Sequence, residues 1–389
     1  MNTKEFVEMI KDKHFFDLKK MQYKYSPEKV GEMLDTLQEM SFAQLKLKDF
    51  AGKACVYLPA QSIIPAGTIK KMLVEKNSKE LFGSKAMEEE IESTLRIESI
   101  KSTRESVHKI MQGFVPENED EKKIWGMKKG LEFISDPNNI ISAENLRILY
   151  LLTVGNFLEG EDMLPQGSYY RDRTVYIIGD KLYHEGLKPK LLPEYMAELI
   201  KFANTKDDIP ELVKAGILHF YIAYLHPYFD GNGRMARLVH LWYLVQQGFS
   251  SVLFYTISKY INSSKREYYK SFLDIEQNYK ISKILDITPF IRYLNENVYE
   301  KINEENKDEN VLRDFSLWMK TGKITEKEHA LWNFALSFYG TESFSTKQLE
   351  KDFGNAAYAT IRSFVLKFEK MNLLTAQHFG NRVKYCIKK

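Results

Sequence analysis

Sulfur chemistry is nearly absent from this chain. Of 389 residues two are cysteine, Cys55 and Cys386, far apart and in no metal or redox spacing. A disulfide framework is therefore not expected, and a reducing compartment is. No His/Cys/Asp cluster has zinc spacing either. Long apolar runs are missing: nothing approaches the ~18 residues of a membrane span, and Met1-Asn2-Thr3-Lys4-Glu5-Phe6 lacks the apolar core of a secretory leader. The expectation is a cytoplasmic protein with no membrane partner. Charge of one sign is scarce, since a net charge of +3 gives no electrostatic case for nucleic acid. There is no Gly-x-x-x-x-Gly-Lys-Ser/Thr loop, and Gly83-Ser84-Lys85 is only a fragment of one, so any phosphate site must be built differently. Core material is plentiful: hydrophobic residues make up 44% and aromatics 13%, enough for two or three domains.

Helical spacing dominates the pattern. Residues 1 to about 47 read as helical, with Val30, Met33, Leu34 and Leu37 on one face. A short β-like run follows at Ala54-Cys55-Val56-Tyr57-Leu58. Residues 84–100 read as a charged helix ending near Ser99. Ser102 and Glu105 have capping-box spacing, so a new helix is expected near Thr103. Further helices fit 121–135, 143–158, 193–204 and 209–225. Residues 165–180, bounded by glycine and holding Val175, Ile177 and Ile178, read as a small hairpin. After a polar run at 303–310, with Leu312, Phe315, Leu317 and Trp318 able to pack as a short helix, the pattern changes. Helices at about 326–339, 345–353 and 356–372, with a turn at Gly354-Asn355, precede two strands around Gly380-Asn381. That order resembles a winged-helix domain.

The chemistry concentrates in His226-Pro227-Tyr228-Phe229-Asp230-Gly231-Asn232-Gly233-Arg234-Met235-Ala236-Arg237. Histidine exchanges a proton near neutral pH. An aspartate oxygen suits Mg²⁺, which usually arrives with phosphates. Gly231 and Gly233 allow close backbone approach to an anion. A helix starting near Gly233 and stopping at Gly248 would aim its free amides and positive end at the same point. Arg234 and Arg237 offer planar forks for phosphate oxygens. His219 and His240 read as core residues rather than ligands.

These twelve residues resemble the Fic family motif at every polar position, with Tyr228 where phenylalanine is usual. The resemblance implies a mainly α fold: a Fic-type helical core with a small β-hairpin flap, joined to the C-terminal winged helix. It implies AMP transfer from ATP to a Ser, Thr or Tyr hydroxyl of a target protein, with self-modification possible. His226 would be the base, Asp230 the Mg²⁺ ligand, and Gly231, Asn232, Gly233, Arg234 and Arg237 the phosphate site. Gly231-Asn232-Gly233 favours nucleotidyl transfer over the family's kinase-like branch; AMP removal by the same site stays open. Tyr268 and Tyr269 fall in a segment resembling the family's adenine side. Gly167, Tyr170 and Arg171 resemble the flap that pins the target. Thr94 and Glu98, four apart and so on one helical face, resemble the family's inhibitory helix, in which the glutamate pairs with the residue matching Arg237. Ser99 departs from the Gly or Asn usual there, which accept a left-handed backbone more readily.

The expected division is an N-terminal helical region with the inhibitory helix (1–115), a catalytic core (116–302), a junction (303–325) and a winged-helix domain (326–389). That last segment carries ten Lys or Arg against six Asp or Glu. This is weak for DNA, and a protein contact is equally open. A DNA-binding regulator with a nucleotide-sensing core is the alternative, which the intact His226 disfavours.

Overall fold

Short polar side chains open the first helices. Asn2 accepts the Glu5 amide at 2.9 Å ahead of α1 (Thr3–Ile10), and Asp17 accepts the Lys20 amide at 3.1 Å ahead of α2 (Leu18–Tyr25). Ser26, at φ +82°, and Pro27 begin α3 (Pro27–Met40). Val30, Met33 and Leu37 are buried in a local core with Met9 and Met21, and Leu34 is half-buried against it. The helical reading of residues to 47 needs correcting at its end. Ala43–Lys48 is a strand, β1, antiparallel to β2 (Ala54–Tyr57). The reason is the period: Leu45 and Leu47 alternate with Gln44, Lys46 and Lys48, and only the two leucines are buried.

The computed structural model describes residues 2–72, 84–136, 138–178, 183–249, 252–253, 255–304, 322–339, 343–354, 356–380 and 382–387. They belong to two units, Met1–Ser78 with Glu90–Glu304, and Lys79–Glu89 with Glu305–Lys389.

In the first unit α4 (Ala66–Met72) is followed by α5 (Ser84–Ile97), which belongs to it from Glu90 onward. α5 closes with Ile100 N donating to Leu95 O and Ser99 N to Arg96 O, both at 3.0 Å, and Ser99 at φ +60°. Serine therefore takes the left-handed position. α6 (Arg104–Met111) is capped by Thr103 with Ser106 as box partner, rather than by Ser102 with Glu105. Thr103 has the extended backbone a cap requires, and its hydroxyl accepts the Ser106 amide at 3.1 Å. α7 (Glu119–Ser135) and α8 (Ala143–Thr153) pack together.

The hairpin lies later than expected. β3 (Tyr176–Ile178) pairs with β4 (Tyr183–Glu185), Ile177 opposite His184. Gly179 and Asp180 lie outside the described residues. Residues 165–171 turn instead: Gly167 is at φ +77° and Ser168 N donates to Pro165 O at 2.9 Å.

α9 (Leu192–Asn204), α10 (Glu211–Leu225) and α11 (Asn232–Gln246) form the centre. From Leu212 to Leu225 every residue of α10 except Ala223 is buried, and α11 is buried from Arg234 to Leu244. Helices apolar on all faces take the interior. α11 stops before Gly248 at φ +89°. α12 (Ile257–Ser263), α13 (Lys265–Ser282), α14 (Thr288–Leu294), a π-turn at Asn295–Tyr299 and α15 (Glu300–Glu304) complete the unit. His219 and His240 are core residues as expected, bonded to the hydroxyls of Tyr268 at 2.9 Å and Tyr299 at 3.0 Å.

The second unit follows the expected order: α16 (Glu326–Phe338), α17 (Thr346–Phe353), α18 (Tyr358–Lys370), then β5 (Leu374–Phe379) antiparallel to β6 (Arg382–Ile387). Capping boxes at Thr325/Glu328 and Ser345/Gln348 set the first two helices, and Gly354 turns at φ +66°. Ile361, Phe364, Val365 and Phe368 give α18 one apolar face, buried against Leu331, Trp332 and Leu349. Phe344 pairs with Tyr385 as a further bridge. Leu312, Phe315, Leu317, Trp318, Asn355, Asn381 and most of 303–325 lie outside the described residues. Among the described residues no helix is long and apolar enough to cross a membrane.

Candidate active site

His226 caps α10 with a left-handed backbone, φ +52° and ψ +60°, its amide still donating to Ile222 O at 3.0 Å. Non-glycine residues adopt this conformation at a cost. Nδ1 faces Ala223 O at 3.3 Å, which assigns the ring proton to Nδ1 and leaves the lone pair on Nε2. Burial lowers the imidazole pKa to about 4, against a smaller upward pull from the Ala223 carbonyl. The ring is neutral at pH 7 and can accept a proton.

The loop after it is closed by Asn232. Its Oδ1 accepts Tyr228 N at 2.9 Å, and its Nδ2 donates to Tyr228 O at 2.8 Å. The side chain expected in the anion cradle is thus spent on shaping it, and is 2% exposed. Tyr228 is buried, its ring stacked on Tyr150 at 3.9 Å between centroids. Gly231 sits at φ +78° as N-cap of α11, and a Cβ there would lie 2.4 Å from Val154 Cγ2. Gly233 is needed for space rather than for angle. Its backbone is helical, and a Cβ would lie 2.6 Å from Glu98 Oε1. Asp230 has a half-exposed side chain that accepts Gly231 N at 2.6 Å and pairs with Arg234 Nη2 at 2.9 Å.

The α5 helix delivers a carboxylate to this point. Glu98 Oε1 lies 2.5 Å from Arg237 Nη2, and Oε2 lies 2.8 Å from Arg234 Nε. The Arg237 contact was anticipated; the Arg234 contact was not, although i, i+3 spacing puts both arginines on one face of α11. Thr94 adds Oγ1 to Arg237 Nε at 2.6 Å and its carbonyl to Nη2 at 3.2 Å. Burial is the largest single influence on Arg237 and pulls its pKa down, but the Glu98 charge and hydrogen bond together with Tyr268 and Tyr269 outweigh it, and the net shift is upward. From α13, Lys265 Nζ reaches Arg96 O and Ser99 Oγ, both at 3.3 Å, and Tyr269 donates to Ile97 O at 3.2 Å. Glu90, farther along α5, accepts Ser258 N at 3.0 Å. None of these braces has a sequence signature.

Tyr268 and Tyr269 part company. Tyr268 is 3% exposed and bonded to His219, while Tyr269 is half-open beside the end of α5. Gly167, Tyr170 and Arg171 precede the strand pair instead of lying on it, and Arg171 is buried beneath the His226 loop. Among the described residues no three His, Cys, Asp or Glu could together hold a metal. Beside the helix terminus Asp230 offers a half-exposed carboxylate, while both oxygens of Glu98 are held by the arginines.

Residues 141–244, which hold α8 through most of α11, match the Fic/DOC family. Protein adenylyltransferase fic-1 of Caenorhabditis elegans is 23% identical over 225 residues, 54% of this chain and 40% of that protein. Protein adenylyltransferase Fic of Nematostella vectensis is 25% identical over 237 residues, 59% of this chain and 49% of that one. The chain thus spans less than half the length of either. Among solved structures, a Fic family protein from Desulfovibrio desulfuricans G20 aligns over 78% of this chain and 86% of its own, at 19% identity and a TM-score of 0.49. With the histidine, the glycine-flanked loop and both arginines gathered at one helix terminus inside the matched segment, residues 141–244 are a Fic domain.

Proposed function

We propose that this protein transfers AMP from ATP to a Ser, Thr or Tyr hydroxyl of a target protein, or of itself, and that Glu98 restrains the reaction. The observation that carries this reading is a buried His226 at the end of α10, joined by the 226–231 loop to the start of α11, where Arg234 and Arg237 lie in the first turns. His226 Nε2 takes the proton from the acceptor hydroxyl. The freed oxygen bonds to the α-phosphorus, the bond from that phosphorus to the bridging oxygen breaks, and pyrophosphate leaves. The amides of the first turn of α11 and the guanidiniums of Arg234 and Arg237 take up the oxygen charge, a task of positioning more than of reactivity.

The donor set fits Mg²⁺ on one condition. A single half-exposed carboxylate, Asp230, suits an ion that brings phosphate oxygens and water with it. When bound, that ion would neutralise phosphate charge. At rest Glu98 holds both arginines and fills the space above Gly233, so its carboxylate stands where a phosphate oxygen would compete. The C-terminal helices and hairpin, read as a winged helix, hold the target or another partner. The test is incubation of the chain and its Glu98→Gly variant with Mg²⁺ and a cell lysate, using α-labelled and γ-labelled ATP in parallel. Label from the α position alone supports the reading. Label from the γ position would make it a kinase, and no label from either in the variant would overturn it.

A further inference from the structure

Arg171 is 2% exposed, and among the described residues no carboxylate pairs with it. Its partners are three main-chain carbonyls. Nε donates to His226 O at 2.7 Å, Nη1 to Arg173 O at 2.6 Å and Nη2 to Leu187 O at 2.6 Å. Its own amide donates to Pro227 O at 3.0 Å, and Leu187 N donates to Leu225 O at 3.1 Å. One planar fork therefore ties the peptide of residue 226 to the chain leaving β4 and to the turn after residue 171. Gly186 makes room for it: a Cβ there would lie 2.6 Å from Arg171 Nη2 and 3.1 Å from His226 Cβ.

Burying a cation without a counter-charge is costly, and a methionine would fill the same volume without that cost. His226 itself sits in a left-handed conformation, which persists only where its surroundings over-determine it. The two unfavourable features meet at one atom, the His226 carbonyl oxygen. We propose that Arg171 is a positioning residue for the reaction: its guanidinium fixes the left-handed peptide of residue 226 and so aims Nε2 of the imidazole at the acceptor hydroxyl. This rests on His226 being the base. It also separates Arg171 from any role in pinning the target segment, since it is 2% exposed and all three of its side-chain nitrogens already donate to main-chain carbonyls. The charged and titratable groups facing His226 are Arg171, His184 and Asp230, the first two opposing protonation and the third favouring it.

The test uses the full chain with Glu98→Gly as the released parent, and adds Arg171→Lys, Arg171→Met or Gly186→Ala. Lysine keeps the charge but cannot span three carbonyls. Gly186→Ala keeps the arginine and wedges it away from His226. Kinetics with ATP are read beside an NMR titration of the His226 ring, assigned by its loss in His226→Ala. Lysine and Gly186→Ala are each expected to lower kcat by about 10- to 100-fold, as misaiming by ~1 Å does, with KM for ATP nearly unchanged. The His226 resonances should shift in all three, and methionine, which removes a repelling charge, should raise the titration midpoint. A folded Arg171→Lys with unchanged kcat and unmoved His226 resonances overturns the proposal, as does a loss that appears in KM alone. If Arg171→Met does not fold, lysine and Gly186→Ala decide. If the parent transfers no AMP, the functional reading fails, while the NMR arm still tests whether Arg171 sets the geometry of residue 226.

Discussion

Removing the Glu98 side chain should loosen the resting protein and quicken the enzyme together. Arg237 is 3% exposed; without Glu98 it keeps Thr94 Oγ1 at 2.6 Å and the Thr94 carbonyl at 3.2 Å, both neutral. Arg234 keeps the Asp230 carboxylate at 2.9 Å. The loss falls chiefly on Arg237, and a buried charge stripped of its partner costs about 3–5 kcal/mol. At roughly 2–4 °C per kcal/mol for a unit of this size, the Glu98→Gly melting temperature should fall by about 6 to 20 °C without nucleotide. Mg²⁺ and ATP at ~100 times Kd return about 2.7 kcal/mol, and they should return more to the variant, where phosphate supplies the missing anion. Glu98→Gln keeps the shape and removes the charge, so it should fall between parent and glycine. The assay is a thermal melt with and without Mg²⁺ and ATP, beside transfer from α-labelled ATP. A glycine variant that melts with the parent, gains nothing extra from ATP and labels no faster would refute the reasoning, because Glu98 would then be a dispensable surface acid.

His226→Ala should abolish transfer by about two to four orders of magnitude while ATP still protects against melting; His226→Asn, which tolerates the left-handed backbone, checks that the loss is chemical rather than conformational. Burial holds His226 at about 4 and His240 at about 3, below the ordinary histidine value. The unfolded chain therefore takes up protons first as pH falls below ~6.5, and each histidine should remove up to about 1.4 kcal/mol per pH unit until its folded value is reached, a slope readable from urea midpoints between pH 7 and 4. For the same reason the acid limb of the rate in the folded protein should lie nearer 4 than 6.5. Asn232→Asp replaces the donor facing Tyr228 O with a carboxylate oxygen, and should cost about 1–3 kcal/mol in urea unfolding together with most of the activity; unchanged stability would show that the loop does not depend on that clasp.

What could be seen in the sequence was whatever is local or periodic. The chemistry of 226–237 is contiguous, so residue types and spacing reach it directly. The Glu98–Arg237 contact followed from a family resemblance and from four-residue spacing on one helical face. α10 and α11 were visible as helices because a long apolar stretch and a glycine stop mark them. The misses have physical causes. β1 hid in a lysine-rich run whose period of two is only six residues long. The hairpin was set too early because the glycine and tyrosines at 167–170 resemble turn and strand signals, yet Arg171 N bonds to the His226 loop rather than to a strand. Arg171 stood out only as a flap residue, and its contacts could not be found: the carbonyls it serves, at 173, 187 and 226, belong to the backbone, which every residue type presents alike. The clasp of Asn232 on the Tyr228 backbone also lacks a sequence signature, since a side-chain amide that reads as a ligand for phosphate fits a backbone turn equally well.

The balance of charge at the start of α11 gives the proposed restraint its character. Two guanidiniums face two carboxylates there, and Glu98 spans both arginines with one oxygen each. A phosphate oxygen that took Arg237 alone would leave Glu98 tied to Arg234, still seated above Gly233 at the mouth of the helix. Full occupation of the helix terminus requires both oxygens of Glu98 to leave. Arg234 also holds Asp230, the carboxylate proposed to meet the metal. A nucleotide that draws Arg234 toward its phosphates therefore frees Asp230 at the same moment. On the proposed reading, release of the glutamate and readiness of the metal ligand would be coupled through a single guanidinium: ATP would approach while Glu98 is seated, and the productive arrangement would form only when Arg234 changes partners.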